Sequence, residues 1–228
     1  FIAQGMARST GKAAVCFATS GPGVTNLLTA IADAKLDSIP VVAFTGQVSS
    51  SLIGTDAFQE IDTYGLTVPI TKHNFLVRSA EELLEIIPLA FHIAESGRPG
   101  PVVIDVPKDV QQMEYTFEKW PEFLTPLRQK ASDKKDMEEI ADLINSSEHP
   151  IIIIGGGIME SRAEKTLLQL SEKNCIPVTS TLRGLGCFPQ SHKLYLGMLG
   201  MHGTKYANYL IEEADLVIAL GIRFDDRA

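Results

Sequence analysis

Apolar and polar positions alternate along this chain in two rhythms. Short, nearly continuous apolar runs recur between turn residues: AAVCFAT (13–19), IPVVAFT (39–45), PVVIDV (101–106), PIIIIG (150–155), IPVTST (176–181) and DLVIALG (215–221). Runs of that length, bounded by Gly, Pro, Ser or Asp, predict buried strands of a parallel sheet. Between them, apolar residues return every three or four positions, which predicts helices over 24–36, 134–147, 161–173 and 204–214. Residues 1–9 read as the end of a helix, with Gly11 just past it. Ser79-Ala80-Glu81-Glu82 has the capping-box form and opens a further helix. Leu83, Leu84, Ile87 and Phe91 follow at helical spacing, and Pro88 predicts a kink or a break.

Strand followed by helix, repeated, is the signature of a parallel α/β sheet. The alternation fails once, over 113–132, where Trp120, Pro121, Pro126 and scattered charges show no period. That stretch reads as a linker between two parallel-sheet α/β domains, residues 1–112 and 133–228. Two polar, Gly-rich stretches, 46–60 and 183–203, read as loops long enough to carry function.

Composition narrows the function classes. The 228 residues are 45% hydrophobic and 21% charged, which is ordinary for a globular protein. Twenty-eight acidic residues against 20 basic ones give a net charge of −8, which argues against nucleic-acid binding. No apolar run approaches the ~20 residues of a membrane span, and no signal peptide is visible. Cys16, Cys175 and Cys187 are far apart and lack metal-ligand spacing, so they read as reduced, buried fillers of a cytoplasmic protein. The chain starts at Phe1 inside a helical pattern, and the expectation is that it is not a natural full-length product.

Several segments could carry chemistry, and each has an ordinary structural alternative. Ser20-Gly21-Pro22-Gly23 leaves a strand and enters a helix. Such a turn lets a ligand approach backbone amides closely, or simply turns the chain. Gly155-Gly156-Gly157 also follows a strand but has Glu160 where a dinucleotide fingerprint has its last glycine. Phe58-Gln59 ends the first long loop, as a loop anchor and helix starter or as site residues. Lys108 follows a strand at the edge where parallel sheets receive ligands, or forms a surface ion pair. Met201 and His202 sit in the second long loop, and Arg223 to Arg227 form a charged turn after the last strand.

Taken in order, longer stretches resemble one family. TSGPG (19–23), LDSIPVVAFTGQV (36–48), LIGTDAFQEID (52–62), PITKHNFLV (69–77) and RPGPVVIDVPKDVQ (98–111) are similar to the first domain of acetolactate synthase catalytic subunits. IIIIGGGI (151–158), TLRGLGCFP (181–189), LGMLGMHG (196–203) and GIRFDDR (221–227) continue the match into the second domain. The resemblance implies a thiamine-diphosphate enzyme that decarboxylates pyruvate and joins the two-carbon unit to a second 2-ketoacid, such as 2-ketobutyrate, in branched-chain amino acid biosynthesis. It implies a pyrimidine-binding domain, incomplete at its N-terminus, followed by part of a Rossmann-like FAD domain. Gly21, Pro22 and Gly23 would approach the thiamine. Phe58, Gln59, Lys108, Met201 and Arg227 would serve the substrate, with Gln59 and Lys108 nearest the catalysis. Gly155, Gly156, Thr181, Leu182, Gly200, His202 and Arg223 would contact FAD, and Arg183 stands where Met is expected.

The same resemblance puts the Mg2+ ligands, the third domain and the acid/base glutamate outside this chain, so that the chain alone is expected to be inactive. It also implies a homodimer or homotetramer and a possible regulatory small subunit. The LGMLGMHG and RFDDR segments favour the biosynthetic synthase over glyoxylate carboligase or pyruvate oxidase. A catalytically inert nucleotide- or flavin-binding module is the alternative from another class.

Overall fold

The computed structural model describes residues 1–125 and 132–224. The chain divides into two compact units, Phe1–Lys130 and Ala131–Ala228.

The first unit is built on four parallel strands, β1 Ala14–Ala18, β2 Val41–Gln47, β3 His73–Leu76 and β4 Val102–Pro107, in the order β1-β2-β4-β3. Helices α1 Ile2–Thr10, α2 Pro22–Leu36, α3 Thr63–Thr67, α4 Ala80–Glu95 and α5 Lys108–Gln111 lie between or beside them. β4 is buried at every position. Its Val102 and Ile104 join Val42, Val77, Ala90 and Ala94 in the main core. Ser79 caps α4 by accepting from the Glu82 amide at 3.2 Å, while Glu82 accepts from the Arg78 amide at 2.7 Å. Lys72 donates to the Ile93 and Ser96 carbonyls at the other end of α4.

Three expectations change here. α4 runs unbroken through Pro88. Proline costs an internal helix ~3 kcal/mol or more, but Pro88, Ala90 and Ala94 are all buried, and that packing outweighs the lost hydrogen bond. β3 was not expected, because HNFL is only four residues and half polar. β1 is not buried on both faces: it is the edge strand, and Phe17 is 76% exposed. Residues 113–125 contain no helix or strand, and the Phe123 ring lies edge-on to Phe91 with centroids 6.5 Å apart. The remainder of the expected linker, 126–131, lies outside the described residues.

The second unit has β5 Pro150–Ile154, β6 Val178–Ser180, β7 Tyr195–Met198 and β8 Leu216–Leu220, in the order β7-β6-β5-β8, again all parallel. Helices α6 Lys134–Ser146, α7 Gly157–Ser161, α8 Glu164–Asn174 and α9 Lys205–Glu213 connect them. Ile152, Ile154, Leu167, Ile176, Val178 and Phe188 form its core. β7 lies inside the stretch expected to be loop, because YLGM contains Gly197, lies just before Gly200 and is only half buried. The expected helix 161–173 begins later, as α8: Ser161 belongs to the preceding α7, which Arg162 ends at φ 55°. β8 is an edge strand with alternating exposure rather than a buried one. Cys187 is buried, but Cys175 is exposed, because it ends α8 in the left-handed conformation at φ 54°.

Candidate functional site

In the first unit the carboxyl ends of β1, β2 and β4 carry the candidate residues, as open parallel sheets require. β1 runs into Ser20-Gly21-Pro22-Gly23, with Gly21 at the N-cap of α2 and Pro22 in its first turn. Gly21 is buried at φ 59°, ψ −113°, and a Cβ there would lie 2.6 Å from the Gln59 carbonyl oxygen. No side chain fits that gap, so the glycine is needed both for its conformation and for the close approach. The two segments singled out in the sequence, GPG and Phe58-Gln59, therefore meet.

The 53–62 loop is built for that contact. Gln59 and Asp56 both hold positive φ, at 59° and 57°, which non-glycine residues adopt rarely. Glu60 holds the turn: its carboxylate accepts from the amides of Gly54, Thr55 and Ala57, the last at 2.9 Å. Those hydrogen bonds keep its carboxyl below the usual range. Sequence reasoning missed this role. Phe58 is 88% exposed, so it anchors nothing within the unit, and Gln59 starts no helix.

A second group, also missed, lies beneath the loop. Asp105, 4% exposed, stands beside Thr45 in the β2–β4 register. Thr45 donates its hydroxyl to one Asp105 oxygen at 2.6 Å, and the Gln47 amide donates to the other at 3.0 Å. Gln47 Nε2 also reaches the Ile61 carbonyl at 2.9 Å and Thr63 Oγ1 at 3.4 Å. Burial pushes the Asp105 carboxyl up to about 6, against the lowering effect of its hydrogen bonds. The available signal was a single acidic residue within the apolar run VVIDV.

Lys108 is the exposed first residue of α5, directly after β4. It pairs with neither of the nearby carboxylates Asp109 and Glu60. Asp109 accepts from the Ser50 amide at 2.9 Å and hydroxyl at 3.1 Å, and Glu60 is held by the loop amides.

In the second unit, β5 leads to β6 and β7 on one side, and β8 returns on the other. The strand order thus reverses between β5 and β8, the position at which doubly wound sheets bind ligands. Gly155 ends β5 there. A Cβ on Gly155 would collide with the Gly221 carbonyl oxygen at the end of β8, so the two strand ends meet backbone to backbone. The Gly155 amide donates to Leu220 O at 2.9 Å and that of Gly157 to Gly221 O at 3.0 Å. Thr181 and Leu182 follow β6, with the Thr181 amide on Ile154 O at 2.9 Å and Leu182 71% exposed. Arg183 lies over Gly156, whose Cβ would be 3.0 Å from its Nε, and pairs with Glu160 at 3.6 Å. Gly200, Met201 and His202 form the turn after β7. Asn208 clamps it by accepting from the Gly200 amide at 2.9 Å and donating to its carbonyl at 3.1 Å. Met201 and His202 are exposed, as is Arg223 after β8. Arg227 lies outside the described residues.

Residues 1–66 match the family described as thiamine pyrophosphate enzyme, N-terminal TPP binding domain. Residues 137–228 match thiamine pyrophosphate enzyme, central domain. The chain belongs to the thiamine pyrophosphate enzymes. Among these enzymes it is similar to the acetolactate synthase isozyme 1 large subunit of Escherichia coli strain K12, at 55% identity over 100% of this chain and 40% of the relative. The probable acetolactate synthase large subunit of Methanocaldococcus jannaschii is 53% identical over 99% of this chain and 39% of its own length. The Escherichia coli isozyme 2 large subunit is 51% identical over 99% and 41%. The chain thus spans about two fifths of the length of these curated relatives.

The residues present fit the organic cofactors by their chemistry. In the first unit the backbone of Gln59 abuts the glycine turn at the strand ends, and the exposed Phe58 ring is its chain neighbour. In the second, the backbone contact of Gly155 with Gly221 at the strand-order reversal lies near Thr181, the exposed apolar Leu182 and the guanidinium of Arg183, which lies over Gly156. A flat ring and a phosphate group match that set. Among the described residues there is no group of three or more His, Cys, Asp or Glu that could hold a metal ion. Among them, too, no helix is long and apolar enough to cross a membrane.

Proposed function

We propose that these residues form the pyrimidine-binding and flavin-binding parts of a biosynthetic acetolactate synthase. The reading takes residues 1–112 as the first domain, 113–132 as a linker and 133–228 as the FAD domain. The observation that carries it is the wedge of Gln59 against Gly21 within the N-terminal TPP binding domain. It sets an amide donor and acceptor, and the exposed Phe58 ring, beside the turn that approaches the cofactor. When bound, thiamine diphosphate supplies the nucleophilic carbon needed for pyruvate decarboxylation and for transfer of the two-carbon unit.

The chain's own residues hold and orient. Gly21, Pro22 and Gly23 bring backbone close to the thiamine. Phe58 covers the apolar side of the substrate, and Gln59 hydrogen-bonds beside the reacting carbon. Lys108 raises the local concentration of the anionic ketoacid. Met201, His202 and Arg227 shape the region around the second ketoacid, where an Arg fork suits its carboxylate. Gly155, Gly156, Thr181, Leu182, Gly200, His202 and Arg223 hold FAD. The name large subunit, carried by the Escherichia coli relatives, supports a small regulatory partner. A homodimer or homotetramer in the cytoplasm completes the reading.

The test supplies the full-length protein with thiamine diphosphate, Mg2+ and FAD. Acetolactate from pyruvate, and acetohydroxybutyrate when 2-ketobutyrate is added, is the expected result. Carboligation of glyoxylate alone, or oxygen-dependent oxidation of pyruvate, would replace the reading with glyoxylate carboligase or pyruvate oxidase. Flavin binding with no turnover of any ketoacid would leave a binding module.

A further inference from the structure

We propose that the buried Asp105–Gln47 pair is a positioning device that fixes the Gln59 loop to the carboxyl end of the sheet. The proposal rests on the reading of Gln59 as a site residue. β4 is otherwise apolar through Val102, Val103, Ile104 and Val106, and Asp105 is its one ionisable residue. Burying a carboxylate is unfavourable unless its oxygens are hydrogen-bonded, and apolar replacements of buried ionic groups are often neutral or stabilising. Asp105 therefore does something that packing does not require.

Its contacts say what. One oxygen takes the Thr45 hydroxyl, which locks β2 to β4. The other takes Gln47 Nε2, which also reaches the Ile61 carbonyl and Thr63 Oγ1. The Gln47 carbonyl oxygen accepts from the Val48 amide at 2.9 Å, so the Gln47 side chain is held at both ends. Ile61 is two residues from Gln59, and Gln59 is wedged against Gly21 at positive φ. A loop carrying two non-glycine residues at positive φ keeps that geometry only when its surroundings impose it. Glu60 imposes it from within the loop, and the Asp105–Gln47 pair imposes it from the sheet.

The experiment uses the holoenzyme with thiamine diphosphate, Mg2+ and FAD, and has two arms. In the first, Gln47→Met keeps a side chain of similar length but cannot bridge. It is expected to lower kcat on the order of 10- to 100-fold, the cost of misplacing a group near the chemistry, with a smaller change in KM. The Gln47→Met/Gln59→Ala double variant is expected to be no worse than the poorer single variant, because both changes remove the same interaction. Asp105→Ala should behave like Gln47→Met. Asp105→Asn should recover most of the activity, since its amide can accept from Gln47 and donate to Thr45. Independent, multiplying losses in the double variant would overturn the proposal. So would full activity in Gln47→Met.

The second arm is amide hydrogen exchange. Gln47→Met is expected to speed exchange at Glu60 and Thr63, whose amides bond to Ala57 O and Ile61 O, while β2 and β4 amides stay protected. Unchanged exchange in the loop, or equal acceleration across the sheet, would overturn the proposal. Because this arm needs no turnover, a wild type that forms no acetolactate would reject the functional reading while the clamp is still judged here.

Discussion

A side-chain carbon on Gly21 would lie 2.6 Å from the carbonyl oxygen of Gln59. Two segments 38 positions apart in sequence thus share a gap that only hydrogen can fill. The contact joins the start of α2 to the loop after β2, and it accounts for glycine at the helix N-cap, where φ is 59°.

Gly21→Ala should therefore destabilise the fold by about 1–3 kcal/mol, from the strained φ and the backbone collision together. The loop must move away, so thiamine diphosphate affinity should fall as well. Thermal melts and cofactor titration measure both. An unchanged melt with unchanged affinity would show that the loop yields at no cost.

Lys108 is exposed, and the carboxylates of Asp109 and Glu60 are engaged by Ser50 and by the loop amides. Lys108→Gln should leave the melting temperature nearly unchanged, since even a formed surface ion pair contributes only ~0–1 kcal/mol. KM for pyruvate should rise at low salt, and the difference should shrink as salt screens charges beyond ~8–10 Å. A large drop in melting temperature at constant KM would assign Lys108 to structure instead.

Asp105 sets a pH dependence with a definite sign. In the unfolded chain it ionises near 3.8, and in the fold near 6. Between those values the folded protein keeps a proton that the unfolded chain has released, so this group's contribution to stability falls as pH rises through the window. The penalty is complete above pH 6 and is on the order of 3 kcal/mol. Asp62 nearby pushes in the same direction. Urea midpoints of wild type and Asp105→Asn should thus diverge from pH 4 to pH 7 in favour of the variant. A constant difference would show that Asp105 has its ordinary pKa.

Gly155→Ala tests the second unit by the same logic as Gly21. Its added carbon meets the Gly221 carbonyl, so the ends of β5 and β8 must part. Flavin affinity should fall at least ~10-fold, the equivalent of 1.4 kcal/mol. Retained flavin fluorescence quenching at wild-type concentrations would move the flavin site away from this crevice.

The sequence alone determined the fold class, most of the strands and helices, and the family. β4 and β5 were legible because a strand buried on both faces is apolar at nearly every position, Asp105 being the exception, and local reading detects such a run. The GPG turn and Phe58-Gln59 were each visible as unusual chemistry in a loop. What the sequence could not show was that they touch, because Gly21 and Gln59 are brought together only by the parallel pairing of β1 and β2. The edge positions of β1 and β8 were misread as fully buried because an apolar run does not say how many neighbours it has. β3 and β7 escaped because four residues, half polar in HNFL and interrupted by glycine in YLGM, carry too little periodicity, and it is pairing with β4 and β6 that makes them strands. Asp105 stood out in VVIDV, yet its role needed Thr45, Gln47 and Ile61, residues up to 60 positions away. A hydrogen bond of that span exists only once the sheet has set its register, so tertiary structure alone decided it.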